Sequence, residues 1–586
     1  MKLNRQALYN IFMFTILMIT SMLVSSYLQH EAQWDFTNYH YYNAWAFLNN
    51  RLNVDIVPAS VNTFFNPLIE LPLYFYIKYF NDKPDLIYAL QGIWVGLTLF
   101  VFYKIYTLFF NMKDCLSKIL VALALFLTLS GEGAFSQIGS SSNEFLVAFF
   151  TLWGLYILFK MIKFPETQTL KKFFISGLIM GIALGLKQTV ITYCIASGLM
   201  LMILNSYLNK PIKSIFFFAL GGLISYLIIN GYFMWQYWIL YKNPFFPFLN
   251  GLFHSPYFDN FNYRDMRFLP PLKYFLIYPV LWYLPEYTIR ENEYTDFRLT
   301  IVYFAFISIF IYLLKNHKLK TFFKQNKIEA SLYIFIVLSF FIWMGMFSLL
   351  RYALIIEILS VIWFTKMFYW LLNKKSIIWP VIIISIFIMV LTISVFETGM
   401  PHKKTQEKFL NIEEIKLPEN TLLKLYGFPT AMVVPEFSKY AHIRALGYLA
   451  YNCKYMEGSD FVERGAFRKM RDEIESTHKG PIVIVYMNSS FIQNPDITLL
   501  QKKRLECEQK KEKNILPDDY YCSFGPCKTW NILEDALAEE LQDKYFCRPL
   551  KNNFENRLTI CVPKELKFKI LGKEDEVPEL NYALLQ

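Results

Sequence analysis

Long apolar runs follow one another along the first two thirds of the chain, separated by short polar segments. Two of them, Ser331–Leu349 and Ile377–Ile393, contain almost no charge. A helix needs about 20 apolar residues to cross a bilayer, so these runs predict membrane-spanning helices. The pattern predicts a polytopic α-helical membrane protein with about 11 transmembrane helices. The predicted spans are residues 8–28, 86–110, 118–131, 144–160, 173–186, 188–208, 214–240, 298–314, 329–350, 352–372 and 377–396.

Composition excludes several other classes of protein. Of the 586 residues, 55% are hydrophobic and only 18% are charged, and the mean hydropathy is +0.29. This is too apolar for a soluble enzyme, a disordered chain or a coiled coil. A net charge of +11 would suit a nucleic-acid binder, but the whole excess lies in residues 1–399, with 30 Lys and Arg against 19 Asp and Glu. We therefore expect membrane lipids, and no nucleic acid, as partners.

The basic residues are concentrated in every second connection between the predicted spans. One set of connections holds 19 bases against three acids, and the opposite set holds 11 bases and 16 acids. Because basic loops stay on the cytoplasmic side, we expect a cytoplasmic N-terminus in a bacterial inner membrane and an extracytoplasmic C-terminal part. The two long outward loops, 29–85 and 241–297, are rich in Trp, Tyr, Phe and Pro, which is typical of short helices at the headgroups.

The composition changes near residue 400, where charge becomes balanced with 28 bases and 28 acids in residues 400–586. We therefore predict two domains: a transmembrane domain at 1–399, including both long loops, and an extracytoplasmic α/β domain at 400–586. The predicted elements of the second domain are strands at Ala431–Val434 and Pro481–Tyr486 and helices at Phe461–Ser476 and Thr498–Lys513.

Six of the eight cysteines lie in this second domain, at Cys453, Cys507, Cys522, Cys527, Cys547 and Cys561. An even cluster of cysteines in a polar domain indicates disulfides and an oxidising compartment, in agreement with the loop charges. Cys547 and Cys561 flank a polar segment between two short apolar strands, a hairpin that brings the two sulfurs close. We predict a disulfide between them and leave the pairing of the other four open.

The first long loop carries an acid among aromatic residues, in a segment that begins at Trp34 and Asp35 and continues to Asn43. A carboxylate there can take a proton from an incoming hydroxyl while its aromatic neighbours stack on a sugar or a polyprenyl chain. The alternative is an aromatic belt with a solvated Asp35. For His40 the alternatives are a base or ligand and a residue that only faces the headgroups.

Four ionisable residues lie at similar depth near the outer ends of predicted spans: Glu144, Lys187, Arg351 and Glu357. Charges at membrane depth are functional candidates because burying them unpaired costs several kcal/mol. Together they would fit an anionic lipid phosphate beside a catalytic carboxylate. The alternatives are an Arg351–Glu357 ion pair and a Lys187 side chain that extends to the headgroups.

The second long loop contains Arg264 and Arg267, which can clamp a phosphate or form a local salt bridge with Asp265. The chain has no P-loop, dinucleotide-binding fingerprint, zinc-protease motif or serine nucleophile elbow. Neither a cofactor nor a metal requirement is supported by the sequence.

Several segments resemble an uncharacterised group of bacterial GT-C glycosyltransferases that is mannosyltransferase-like. They are Trp34–Phe36 with Asn38–His40, Gly181–Lys187, Asn243–Pro247 with Asn250, Phe253, Ser255 and Pro256, and Arg351–Tyr352. The resemblance spans residues 1–372 and implies a polytopic fold with an outward catalytic acid. Members of the superfamily transfer a sugar from a polyprenyl-phosphate donor, with inversion, to an acceptor at the outer face. The chain differs from several members in having no adjacent pair of acids after the first span.

The resemblance assigns roles to particular residues. It makes Asp35 the catalytic base and Lys187 and Arg351 contacts of the donor phosphate, to which we add Arg264 and Arg267. The expected substrate contacts are Trp34, Asn38, His40, Tyr41, Glu144, Asn243 and His254. If Asp35 is not the base, Glu144 and Asp55 are the next candidates.

We therefore expect an inverting glycosyltransferase whose partners are a polyprenyl-phosphate-linked sugar donor and a glycan or lipid-linked acceptor. Two alternatives stay open: a flippase or permease for a lipid-linked saccharide, and a non-catalytic membrane assembly scaffold. A transporter is expected to place ionisable residues near the bilayer midplane, whereas the charges here gather near one face.

Overall fold

The computed structural model describes most of the helical region and parts of the C-terminal region. The described residues are 5–29, 34–112, 114–258, 260, 262–263, 268–284, 287–289, 296–372, 407–427, 429–448, 465–487, 544–553 and 558–572. The chain divides into two compact units. The first, called here the helical unit, comprises Met1–Glu31, Asp85–Tyr232 and Phe268–Thr405. The second, the mixed unit, comprises Ala32–Pro84, Phe233–Arg267 and Gln406–Gln586.

These units group the residues by contacts, and the domain boundary near residue 400 stays a prediction. Nearly all of the loop 29–85 and the first part of the loop 241–297, up to Arg267, belong to the mixed unit together with the C-terminal residues, whereas residues 268–297 belong to the helical unit. The physical reason is that apolar side chains of the two loop segments in the mixed unit join a core with the C-terminal strands, as described below.

The helical unit is built from long apolar helices, as expected for a membrane protein. Its principal helices are Arg5–Leu28, Pro84–Phe109, Cys115–Leu129, Glu144–Lys163, Leu170–Leu186, Ile191–Ile203, Pro211–Tyr241, Arg298–Lys315, Lys327–Met346 and Leu354–Leu372, and the last residues of Pro211–Tyr241 are part of the mixed unit. Within the described part of the chain, seven helices are long and apolar enough to cross a membrane, fewer than the 11 predicted. The helices Cys115–Leu129, Leu170–Leu186 and Ile191–Ile203 are shorter, and the predicted span 377–396 lies outside the described residues.

Glycines let two of these helices approach closely. Gly177 and Gly181 lie four residues apart on the helix Leu170–Leu186 and face the helix Pro211–Tyr241. A Cβ at Gly177 would lie 1.9 Å from the Phe218 carbonyl oxygen, and one at Gly181 would lie 2.2 Å from the Gly222 carbonyl oxygen. Small residues at this spacing are the usual device for close helix packing in membranes. The helix Leu170–Leu186, which Lys187 directly follows, is thereby in close contact with the backbone of its neighbour.

The mixed unit contains a five-stranded sheet with the order β2-β1-β3-β5-β4. Strand β1 pairs in parallel with β2 and β3, while β5 pairs antiparallel with β3 and β4. The strands are β1 Thr421–Tyr426, β2 Ile443–Tyr448, β3 Ile482–Met487, β4 Tyr545–Pro549 and β5 Leu558–Pro563.

Of the four elements predicted in this unit, two are confirmed, one is wrong and one lies outside the described residues. Strand β3 matches the predicted strand Pro481–Tyr486, and the helix Gly465–Thr477 matches the prediction at Phe461–Ser476. The strand predicted at Ala431–Val434 is wrong, because a turn and the helix Val433–Phe437 occupy this run. Short apolar runs do not distinguish a buried strand from a buried helix. The helix predicted at Thr498–Lys513 lies outside the described residues.

The predicted disulfide is present between Cys547 and Cys561. The two residues are directly opposite each other in the antiparallel pair β4 and β5. This confirms the hairpin and the pairing expected from the sequence. The cysteines at 453, 507, 522 and 527 lie outside the described residues.

The first long loop is attached to the edge of the sheet. Ile56 forms a parallel bridge with Leu446 of β2: its N–H donates to the Ala445 carbonyl (2.9 Å), and its carbonyl accepts from the Gly447 N–H (2.8 Å). A buried core joins residues of both long loops to the sheet and to the helix Gly465–Thr477; its members include Ile56, Val57, Phe64, Phe246, Phe258, Leu422, Leu446 and Phe467. This core explains why residues 32–84 and 233–267 group with the C-terminal residues.

Candidate active site

The predicted catalytic acid lies on a helix that contains a π-turn. The chain is helical from Trp34 to Leu48, and the turn Phe36–His40 is a π-helix in which the Tyr41 N–H donates to the Phe36 carbonyl. π-turns inside α-helices are rare and are frequent at functional sites. Of the two residues that begin the helix, Trp34 is 48% exposed, whereas Asp35 is only 9% exposed. Asp35 is therefore not the solvated residue of the aromatic-belt alternative.

The π-turn buries further polar residues, among them Asn38 and His40. Asn38 is 1% exposed, and its Oδ1 accepts no hydrogen bond from the described residues. His40 is buried with its Nδ1 3.6 Å from Oε2 of the buried Glu70, and its ring stands edge-on to Tyr39. Glu70 directly follows the short helical turn Pro67–Ile69. Asp35, Asn38 and His40 thus share one turn, and Glu70 is added to it from a neighbouring segment.

Two tyrosines after the π-turn have structural partners. The Tyr41 hydroxyl donates to Glu436 (2.7 Å), and burial together with this carboxylate raises the pKa of Tyr41 well above its usual range. The Tyr42 hydroxyl donates to Asp55 (2.9 Å), and burial and this carboxylate raise the pKa of Tyr42 in the same way. Asp55 also binds Arg51, so its geometry is that of a buried structural acid.

The second long loop contributes a rigid asparagine turn. Asn243 is fully buried; its side chain accepts from the Phe245 N–H and donates to the Phe248 carbonyl and to the Asn250 side chain. All of its hydrogen-bonding groups are thereby used inside the loop. His254 is exposed, with Nδ1 3.1 Å from the Asn260 side chain. Arg264 and Arg267 lie outside the described residues.

In the helical unit, two cations converge on one carboxylate. The Lys187 ammonium donates to Glu144 Oε1 (2.7 Å), and Arg351 Nε lies 3.8 Å from the same oxygen. The Tyr352 ring lies beside both cations, 5.3 Å from Lys187 Nζ and 5.2 Å from Arg351 Cζ, and the Tyr193 hydroxyl holds the Tyr352 backbone. Both cations therefore lie within 4 Å of the same carboxylate oxygen.

A second charged cluster of the helical unit was not anticipated. The Arg298 guanidinium donates to the carbonyls of Leu127 and Ser130 and pairs with Asp296 (3.3 Å) and Glu357 (3.8 Å). Arg351 thus pairs with Glu144, and Glu357 with Arg298, so the ion pair between Arg351 and Glu357 that was considered as an alternative is not formed. A small, partly open pocket has charged and aromatic walls that include Glu132, Trp282, Tyr283, Asp296, Arg298 and Glu357.

The sequence offered signals for the residues that were missed. Arg298 and Glu132 lie at the ends of predicted spans, as the anticipated charges do, and Glu70 interrupts the apolar stretch Pro67–Leu73. Charges in such places are rarely left without partners. Among the residues that the structure describes, no group of three His, Cys, Asp or Glu side chains is arranged to hold a metal ion.

Comparison with known proteins adds no identification. No protein-family model matches the chain, and no curated protein matches it.

Proposed function

We propose that the chain is an inverting glycosyltransferase that moves a sugar from a polyprenyl-phosphate donor to a glycan or lipid-linked acceptor at the outer face of the membrane. The observation that carries this proposal is the convergence of Lys187 and Arg351 on Glu144. Three residues that are far apart in the sequence build one cationic cluster where neighbouring helices end. The resemblance of the sequence to GT-C enzymes supports the same function.

The chemistry of this cluster suits a lipid phosphate. The side chains of Lys187 and Arg351 are 21% and 14% exposed, so they are reachable, whereas Glu144 is 4% exposed. Both cations can donate charge-assisted hydrogen bonds to an anionic phosphate. Lys187 and Arg351 would therefore hold the donor phosphate, and Glu144 would fix their positions.

Asp35 is the proposed base. The acceptor hydroxyl oxygen attacks the anomeric carbon of the donor sugar, and the bond between that carbon and the phosphate oxygen breaks. Polyprenyl phosphate leaves with the electron pair, and the hydroxyl proton passes to the Asp35 carboxylate. The buried π-turn supports this role, because burial and a rare backbone conformation around a carboxylate are features of sites that do chemistry.

The loop charges support the proposed location, with a cytoplasmic N-terminus in a bacterial inner membrane and an outward mixed unit. A reporter that is active only outside the cytoplasm should be active when fused after Gln586 and inactive when fused near Lys324. The opposite pattern would contradict the orientation and would place Asp35 on the cytoplasmic side.

The decisive experiment measures transfer of labelled sugar from polyprenyl-phosphate donors by the purified protein in lipid. Asp35→Asn keeps the shape of the side chain but removes the base, so turnover should fall about 10²–10⁴-fold while donor affinity changes little. Lys187→Ala and Arg351→Ala should each weaken donor binding by about 1.5–3 kcal/mol, through loss of charge-assisted hydrogen bonds. Lys171→Ala, at the exposed opposite end of the helix Leu170–Leu186, is the matched control.

The same preparation separates the alternatives. A flippase would move a lipid-linked saccharide across the vesicle membrane without forming a new glycosidic bond, and a scaffold would do neither. If Asp35→Asn folds normally and keeps turnover within a few-fold of the wild type, the base lies elsewhere, and the role given to Asp35 is wrong.

A further inference from the structure

Residues 271–284 of the second long loop, called here the strap, have two unlike sides. The strap belongs to the helical unit and consists of short helical turns, which include Leu272–Tyr274 and Tyr278–Leu281. Five large aliphatic side chains of the strap are exposed: Leu272, Leu276, Ile277, Val280 and Leu284. The exposure of Leu272 is 90% and that of Leu276 is 66%. Lys273 is the only charged residue in the sequence of the strap.

The other side of the strap packs against the helix Lys327–Met346. The Phe275 ring is stacked on Phe341, with the ring centroids 6.2 Å apart. The ring of the buried Trp282 lies edge-on to Trp343, and these centroids are also 6.2 Å apart. The strap therefore has a buried aromatic side and an exposed aliphatic side.

Hydrogen bonds attach the strap to the beginning of the helix Arg298–Lys315. The Tyr303 hydroxyl donates to the Leu276 carbonyl (2.7 Å), and the Thr300 hydroxyl donates to the Pro279 carbonyl (2.8 Å). At 1.5 Å per residue, these contacts lie about 3–8 Å along the axis from the first residue of this helix. The helix is one of the candidate membrane spans. The strap thus lies beside the end of a span and not beside its middle.

The aliphatic side of the strap is held outward by these contacts. Turning it inward would break the hydrogen bonds to Thr300 and Tyr303 and would uncover the aromatic side. Exposed apolar area costs free energy in water, and contiguous apolar patches on protein surfaces mark contacts with membranes or other proteins. Phe304, which directly follows the residue that binds the Leu276 carbonyl, is exposed as well, so the apolar surface continues onto the candidate span.

We propose that the strap is an interfacial anchor whose aliphatic side chains lie among the acyl chains of the leaflet at this end of the span. Its tyrosines and tryptophan are residues enriched where acyl chains meet headgroups. Lys273 is exposed, and a lysine beside acyl chains can extend its ammonium to the lipid phosphates. Bilayer lipid is the chosen occupant, rather than another protein, because the end of a span always has lipid beside it.

The anchor also sets the depth of the small pocket described above. Trp282 and Tyr283 of the strap line this pocket together with Arg298 and Glu357. With the aliphatic side of the strap among the acyl chains, these pocket walls lie at the level of the lipid headgroups. The charged groups of the pocket are thereby kept out of the middle of the bilayer, where charge is most costly.

The first test locates the side chain at position 276 in the full-length protein, in vesicles of phosphatidylethanolamine and phosphatidylglycerol. A nitroxide amino acid replaces Leu276 by amber suppression, so that the eight native cysteines stay unchanged. Electron paramagnetic resonance then compares relaxation of the label by molecular oxygen, which concentrates among acyl chains, with relaxation by a water-soluble nickel chelate. Relaxation by oxygen should exceed relaxation by the chelate several-fold.

Three other positions of the helical unit calibrate this measurement. Ile228, exposed on the helix Pro211–Tyr241, should give the response of a side chain in lipid. Lys171, exposed at the beginning of the helix Leu170–Leu186, should give that of a side chain in water. The buried Val302 should be shielded from both reagents.

These controls make each result at position 276 decisive. An oxygen response well above the chelate response supports the anchor. A response like that of Lys171 refutes it. A label shielded from both reagents, as at Val302, also refutes it, because other protein would then cover the strap. Leu272 carries the same test if the label at position 276 prevents folding.

A charge substitution gives a second and independent measurement. Leu276→Asp would place a carboxylate among acyl chains, so Tm of the protein in vesicles should fall by several degrees, whereas Lys171→Asp should leave Tm unchanged. An unchanged Tm for Leu276→Asp would contradict the anchor, since substitutions at water-exposed positions have little effect. None of these measurements requires sugar transfer, so a failure of the proposed function would not alter them.

Discussion

A substitution of Asp55 can distinguish a structural acid from a catalytic one. The sequence made Asp55 a candidate for the base if Asp35 is not the base. The Asp55 side chain is fully buried beside Arg51, whose side chain is 13% exposed. The carboxylate accepts four hydrogen bonds: two from Arg51 (2.9 and 2.6 Å), one from the Tyr42 hydroxyl (2.9 Å) and one from the Ala445 N–H (2.8 Å). The last of these ties the first long loop to β2.

Asp55→Asn would remove the charge and turn one accepting oxygen into a donor. Arg51 would lose its counterion, and one of the buried N–H or O–H groups would face an amide donor. Removing one partner of a buried ion pair costs about 3–5 kcal/mol. Since 1 kcal/mol shifts the unfolding temperature of a domain of this size by about 2–4 °C, we expect Tm to fall by about 6–20 °C.

The assay is thermal unfolding of the purified protein, followed by transfer activity per folded molecule at a temperature below both transitions. Asp82→Asn, the same substitution at an exposed position, is the control and should leave Tm within about 1–2 °C of the wild type. A Tm for Asp55→Asn that matches this control would refute the ion-pair reasoning. A normal Tm with lost activity would instead assign Asp55 to the chemistry.

The other predictions concern packing, pH and the disulfide. Gly181→Leu should separate the two helices that meet at this glycine and lower the yield of folded protein, whereas Gly198→Leu, where a Cβ meets nothing within 4 Å, should be tolerated in the same size-exclusion assay. Burial alone would raise the pKa of Glu413, but its buried partner Arg548 holds this pKa below the usual range. The stability that Glu413 contributes is therefore present above about pH 4.3, and it is lost as pH falls through the pKa of Glu413 in the folded state. In Glu413→Gln, the unfolding temperature should therefore fall less steeply with acid than in the wild type. Replacing Cys547 and Cys561 by serine should cost about 3 kcal/mol, the value for a loop of about 15 residues, and an unchanged denaturation midpoint would contradict it.

Local patterns in the sequence were sufficient to predict the structural features that depend on residues close together in the chain. Apolar runs such as Ser331–Leu349 predicted helices because a helix of this length has to bury its surface in lipid or protein wherever it lies. The Cys547–Cys561 disulfide was predictable because a hairpin between two short apolar strands brings the two sulfurs close. The placement of charges at span ends followed from the cost of charge in lipid.

Only the tertiary structure decided the partners of those charges. Glu144 receives Lys187 and Arg351 from positions 43 and 207 residues further along the chain, and Glu357 pairs with Arg298 rather than with Arg351. Periodicity identifies the end of a helix on which a charge lies, but it carries no information on which helices are neighbours. That choice depends on close contacts such as those of the glycines on Leu170–Leu186.

The contacts of the first long loop in the mixed unit were likewise decided only by the tertiary structure. The aromatic composition of residues 29–85 predicted short helices at the headgroups. It carried no signal that Ile56 extends the sheet at β2 or that Asp55 accepts from the N–H of Ala445, 390 residues away. The π-turn that buries Asp35 and the approach of Glu70 to His40 likewise have no local pattern in the sequence. They arise because buried polar groups have to find partners in whatever segment the fold brings alongside, and the folded chain alone determines that segment.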